Sequence, residues 1–338
     1  VFYAHANFGG VDPNPGQRPF LHDPERFLAL LARLEPLCRD AGQTLGYAIH
    51  SLRAATPEEM RIILDAAPVA GPIHIHVAEQ TKEVDDSLAW SGRRPVEWLL
   101  DEMPVNERWC AIHATHLTES ERQRLARSGA VAGLCPATEA NLGDGIFPAV
   151  DFMAEGGVIG VGTDSHVATS VAEELRLLEY GQRLRDRRRN RLATGPGASI
   201  GRTIFDAAHK GGAQAAGQKT AGITVGARAD FVVLDGSNPY IAAATDNQAK
   251  RLKSRMDGTL LRRIGDGPSA QEGRRGQAGS VRRAVQPSVS SRLNSQAQPN
   301  LWNASALSRM TRGISHSPRT SRMTSTSLRS KRRAAWVP

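Results

Sequence analysis

The sequence predicts an α/β fold built on a parallel sheet, and three observations carry that prediction. Along residues 1–249, short apolar runs alternate with longer stretches of helical apolar spacing. The runs are almost continuously apolar, as strands covered on both faces are. Helix-start signals fall between the runs, the arrangement of repeated βαβ units.

Taken in order, VFYAHA from Val1 reads as the end of a strand. Pro24 to Cys38 places Phe27, Leu28, Leu30, Leu31, Leu34 and Leu37 near helical spacing. Thr44 to Ser51 is a strand ending in His50. Thr56 followed by Pro57, Glu58 and Glu59 starts a helix, with Thr as cap, Pro in the first position and Glu three residues after the cap. A strand over Ile73–Val77 and a helix over Pro95–Leu100 come next, then a strand over Cys110–His113 and a helix over Thr118–Ala126. Two more strands, Val131–Cys135 and Val158–Gly162, precede a long helix from Val171 to Arg187. Ala229–Asp235 is a further strand, set apart by Gly222 and Gly226.

Charge divides the chain. Up to residue 249 there are 24 basic and 31 acidic residues; from Lys250 on there are 19 and 3. The overall charge of +9 therefore describes neither part. The second part is rich in Ser and Arg, has no helical or alternating period, and reads as a disordered tail. A translated wrong reading frame is the favoured origin of so abrupt a switch, and a genuine nucleic-acid-binding tail the other. Only Trp302 and Trp336 could stack on bases there, which argues against nucleic acid as a partner. No run approaches the roughly 18–20 apolar residues of a membrane helix. No signal peptide is visible at the start of the sequence. Three widely spaced cysteines, Cys38, Cys110 and Cys135, form neither a disulfide framework nor a thiolate zinc site, so a cytoplasmic location is expected.

Chemistry-bearing residues recur at strand ends. His50, His76 and His113 close three strands, Glu79 follows His76 by three residues, and Asp164 follows the Val158 strand. In a parallel α/β barrel the carboxyl ends of all strands share one face, so residues remote in sequence converge there. Neutral imidazole and carboxylate suit zinc. A single strand-end His is more often a packed residue than a ligand; three in succession followed by an Asp leave a metal site and a packed core equally open. His74 shares a strand side with His76 but is expected one layer deeper. Arg53, three residues past His50, offers a planar fork for a substrate carboxylate or a surface salt bridge.

The strings His50-Ser51-Leu52-Arg53, HIHVAEQ (74–80), LAWSGRRPVEWLL (88–100), HATHLTESE (113–121), GLCPATEANLGDGIFP (133–148), GTDSHV (162–167) and AEELRLLEYGQRLRDRRRN (172–190) resemble the formimidoylglutamate deiminases of the amidohydrolase superfamily. The resemblance runs from Val1 to about Ala244. It implies a metal-dependent (β/α)8 barrel with a small β-domain, and hydrolysis of N-formimino-L-glutamate to N-formyl-L-glutamate and ammonia, a step of histidine breakdown, by a zinc-activated water. His76 and Asp164 would ligate one Zn2+ per subunit. Glu79 would pass protons, His113 would polarise the reacting centre, Asp164 would also take the proton of the water, and His50 and Arg53 would contact the glutamate part. The resemblance implies a small-molecule substrate and leaves room for a homodimer in the intact family member. Other deaminases or chlorohydrolases of the superfamily are the nearest alternative, and a basic-tailed nucleic-acid-binding protein the more distant one.

The resemblance also implies a departure. The family's His-x-His at the end of the first barrel strand has no counterpart before His50, since His5 and His22 stand apart. VFYAHA matches the third barrel strand, so the first two strands are expected to be missing. The domain expectation is a partial barrel over 1–220, a remnant of the small β-domain over 221–249 and the basic tail over 250–338. Weak zinc binding and little or no turnover are expected of such a chain alone.

Overall fold

The computed structural model describes residues 1–4, 8, 15–218 and 225, and the strands at 231–233 and 262–264. The chain divides into two compact units, residues 1–273 and 274–338, and all described residues lie in the first. Most of the expected small-domain remnant and of the basic tail lies outside the described residues.

Five parallel strands form one sheet in sequence order: β1 (Tyr47–Ser51), β2 (Ile73–Val77), β3 (Trp109–His113), β4 (Val131–Leu134) and β5 (Val158–Val161). Phe2 adds a single parallel bridge to Ile49, the described trace of the strand expected at the start of the chain. The sheet order equals the chain order because each connection carries at least one helix. These are α2 (Pro57–Ala66) after β1, α3 (Thr81–Ser91) and α4 (Pro95–Glu102) after β2, α5 (Glu119–Ser128) after β3, and α6 (Pro136–Leu142) and α7 (Ala149–Ala154) after β4. A helix α1 (Pro24–Asp40) precedes β1, and α8 (Val171–Asp186) and α9 (Ile200–Ala215) follow β5. A separate antiparallel pair joins β6 (Phe231–Val233) to β7 (Arg262–Ile264). β7 falls in the segment whose composition predicts disorder; a strand of three residues leaves no periodic signal to read.

The helix starts follow from their caps. Asp23 accepts from the Arg26 backbone N–H at 2.8 Å ahead of Pro24. Thr56 with Glu59, and Thr118 with Glu121, form reciprocal capping boxes. Glu121 also takes Arg94 Nε at 2.7 Å, tying α5 to the start of α4.

Alternation on β1 and β2 sets the two faces of the sheet. Tyr47, Ile49 and Ser51, and Ile73, Ile75 and Val77, are buried, whereas His50, His74 and His76 on the opposite side are half-buried. The strands register so that His74 pairs with Cys110 and Val77 with His113, which brings the strand ends level. Helix α9 seals the β5 side: a Cβ on Gly211 would lie 2.0 Å from the Ile159 carbonyl oxygen, so the close approach requires glycine there.

Candidate metal centre

The three residues His76, His113 and Asp164 converge. Each offers one ligand atom, and these atoms lie within 4.8 Å of one another. His76 comes from the fourth position of β2, His113 from the last of β3, and Asp164 from the turn three residues past β5. The backbone turns sharply at these places. Ala78 has φ 50°, His113 68°, Ala114 45° and Asp164 37°, left-handed values that side chains with a Cβ rarely adopt. Such conformations cost about 1–3 kcal/mol each and gather at functional sites. Here they swing the ends of three strands toward one point.

Hydrogen bonds orient the imidazoles. His76 Nδ1 donates to the His50 carbonyl at 2.7 Å, which leaves Nε2 with its lone pair. Burial holds His76 below the ordinary imidazole range, against the opposing effect of that hydrogen bond, so it is kept neutral as a metal ligand must be. The His113 ring stacks on His76 with centroids 5.6 Å apart, and the His50 ring lies 5.1 Å from His76. His113 is 1% exposed. Burial alone would depress its pKa, but the hydrogen bond to Glu139 and the charges of Glu79, Glu139 and Asp164 outweigh it and hold it above the ordinary value. The imidazole of His76 and the carboxylate of Asp164, brought to one point with His113 beside them, fit a zinc ion.

Carboxylates and one arginine complete the surroundings. Glu79 Oε1 is 3.8 Å from His113 Nε2, and its other oxygen accepts from Arg53 Nη2 at 3.2 Å. Among the described residues the buried Nε of Arg53 has no acceptor. Glu83, 2% exposed, accepts from the Glu79 backbone N–H at 3.0 Å and fixes the turn that carries Glu79. Its own pKa is raised by burial. Asp144 is likewise raised, by burial first and then by the charge of Glu79. Cys110 is pushed up to about 12 by burial, and Cys135 is raised by the same cause, so neither is a thiolate near neutral pH.

Of the residues singled out in the sequence, His76, His113, Asp164, Glu79, Arg53 and His50 thus form one contiguous group. His74 does not join it: its Nε2 is hydrogen-bonded to the Ala215 carbonyl oxygen at 2.8 Å, at the end of α9. Two carboxylates that hold the group together, Glu83 and Glu139, went unremarked in the sequence. Both sit in the first turn of the helix that follows a strand, and that placement was the available signal.

The Amidohydrolase family model matches residues 14–258. The chain belongs to the amidohydrolase family. It is 57% identical over 244 residues to the formimidoylglutamate deiminase of Pseudomonas aeruginosa, covering 72% of this chain and 54% of that protein. A crystal structure of an amidohydrolase from Brucella melitensis superposes with a TM-score of 0.69 at 51% identity, covering 75% of this chain and 56% of the other. An adenosine deaminase from Xanthomonas campestris, solved with bound zinc, superposes with a TM-score of 0.57 at 27% identity, covering 65% and 50%. The amidohydrolase chain therefore has the (β/α)8 barrel type of fold and spans about half the length of the relatives it matches. Among the described residues, no helix is long and apolar enough to cross a membrane.

Proposed function

We propose that these residues form the hydrolytic side of a zinc-dependent deiminase that converts N-formimino-L-glutamate and water to N-formyl-L-glutamate and ammonia. The observation that carries the proposal is the convergence of His76, His113 and Asp164 beside Glu79 and Arg53. The setting we assign is histidine breakdown in the cytoplasm, with one zinc ion per subunit, a small-molecule substrate and room for a homodimer. The domain reading kept with it is a partial barrel over 1–220 followed by a small β-domain remnant over 221–249.

His76 and Asp164 would hold the ion. Bound there, zinc supplies Lewis-acid chemistry, which lowers the pKa of a water from about 15.7 to about 7. Asp164 accepts a proton that the attacking water loses. His113, stacked on His76, polarises the formimino group at the carbon under attack. The two protons that the water gives up, one taken by Asp164 and one by Glu79, reach the terminal nitrogen through Glu79. With both added, the bond from that nitrogen to the carbon breaks, ammonia leaves and the oxygen is left as the formyl carbonyl. Arg53 holds a substrate carboxylate: its Nε–H is a buried donor without an acceptor among the described residues, and its Nη2 already anchors Glu79. His50 packs against His76 and borders the same space.

Arg53 favours a carboxylate-bearing substrate over a neutral heterocycle such as adenosine. The test is a chimera in which the part of the Pseudomonas aeruginosa relative that precedes the matched region is joined to this chain. Supplied with zinc, it is expected to release ammonia from N-formimino-L-glutamate and none from adenosine. Release from adenosine alone overturns the assignment.

A further inference from the structure

Glu139 occupies the fourth position of α6, 4% exposed, and plays no part in the reaction as proposed. Its Oε1 accepts from two donors that belong to different strands: the Cys135 backbone N–H at 2.9 Å, just past β4, and His113 Nδ1 at 3.3 Å, at the end of β3. The first bond fixes the turn into α6. The second acts on a ring that could carry its neutral-state proton on either nitrogen. The oxygen that already accepts the Cys135 N–H faces Nδ1, so the ring nitrogen is the donor: the proton sits on Nδ1, and Nε2 is left with its lone pair. That nitrogen is the one 3.8 Å from Glu79 Oε1. His76 is held in the same way by the His50 carbonyl. Two neighbouring imidazoles, stacked at 25°, thus both carry the proton on Nδ1 and keep the lone pair on Nε2.

We infer that Glu139 is a positioning residue: its carboxylate fixes His113 in the Nδ1–H tautomer and turns Nε2 toward Glu79 and the His76–Asp164 pair. The catalytic consequence rests on the proposed function, since it matters for turnover only where His113 acts on the substrate. The tautomer itself does not depend on that reading. Substitution of groups that orient histidines at metal sites typically costs about 10–100-fold in affinity or activity.

The test uses the full 338-residue chain with nitrogen-15 histidine, above the imidazole titration range. Long-range proton–nitrogen correlation spectra distinguish the protonated ring nitrogen from the bare one, and His113→Asn identifies the His113 signals. The parent chain is expected to show His113 protonated at Nδ1. Glu139→Gln keeps an acceptor oxygen and is expected to keep that pattern. Glu139→Ala is expected to move the His113 proton toward Nε2 while His76, held by the His50 carbonyl, stays protonated at Nδ1. His76 therefore reports whether the site is still folded. A parent spectrum with the His113 proton on Nε2 overturns the inference even if Glu139→Ala fails to fold, as does an unchanged His113 pattern in a folded Glu139→Ala chain. In the chimera, Glu139→Ala is expected to lose about 10–100-fold in turnover, with recovery in Glu139→Gln. A shifted tautomer with undiminished ammonia release upholds the positioning of His113 and removes His113 from the proposed chemistry.

Discussion

Glu79→Gln is expected to lower kcat for ammonia release from N-formimino-L-glutamate by about 10²–10⁴-fold in the chimera, the range attributed to a positioned general acid or base. The substitution isolates proton transfer from architecture. Glutamine has the same length, and its amide oxygen can still accept from Arg53 Nη2, which Glu79 holds at 3.2 Å. The turn beneath it is held independently, because Glu83 takes the backbone N–H of residue 79 at 3.0 Å. What is lost is a group able to gain and release a proton beside His113 Nε2. Zinc content and thermal stability should therefore match the parent, and the loss should fall on kcat more than on KM. Steady-state kinetics together with metal analysis check this, and a variant within about threefold of parental kcat removes Glu79 from the chemistry.

The second large effect concerns the metal. His76→Ala and Asp164→Asn are each expected to reduce zinc affinity of the chain by more than about 100-fold, beyond the loss typical of groups that merely orient a ligand. His74→Ala is expected to leave affinity unchanged within about threefold, since His74 is engaged by the Ala215 carbonyl and stands outside the cluster. The comparison matters because His74 and His76 share a strand face two residues apart, and a His-x-His string invites both to be taken as ligands. Competition against a chromophoric chelator measures all three. Equal losses from His74→Ala and His76→Ala would place the ion deeper in the sheet than the strand ends.

Much of this architecture could be read in the chain because the strands are short, apolar and closed by polar residues. The helices α1, α2, α4, α5 and α8 were legible, α1 through the apolar spacing from Phe27 to Leu37 and α2 through Thr56, Pro57 and Glu59. Other helices were silent. Helix α3, TKEVDDSLAWS, buries Glu83 and Ser87 together with Val84, so its inner face carries polar residues and the apolar stripe is broken. Helix α9 contains Gly201, Gly211 and Gly212, which read as breakers, yet Gly211 is what lets it lie against β5. Helices α6 and α7 are too short for a period to be seen.

The site divides along similar lines. Residues at strand ends were legible because a parallel sheet delivers them all to one rim. Glu139 was not, because its role depends on a contact with a histidine 26 positions earlier. Glu83 was hidden for a related reason: a buried carboxylate looks in the sequence like any acidic residue in a first helical turn.

The central claim is that one cation is held where the ends of β2, β3 and β5 meet. Diffraction data collected on either side of the zinc absorption edge, from crystals of the chain grown with zinc, test it most directly. The account predicts an anomalous peak within bonding distance of His76 Nε2 and the Asp164 carboxylate, with His113 beside it and His74 apart from it. An anomalous peak elsewhere on the molecule, with none between His76 and Asp164, contradicts the account.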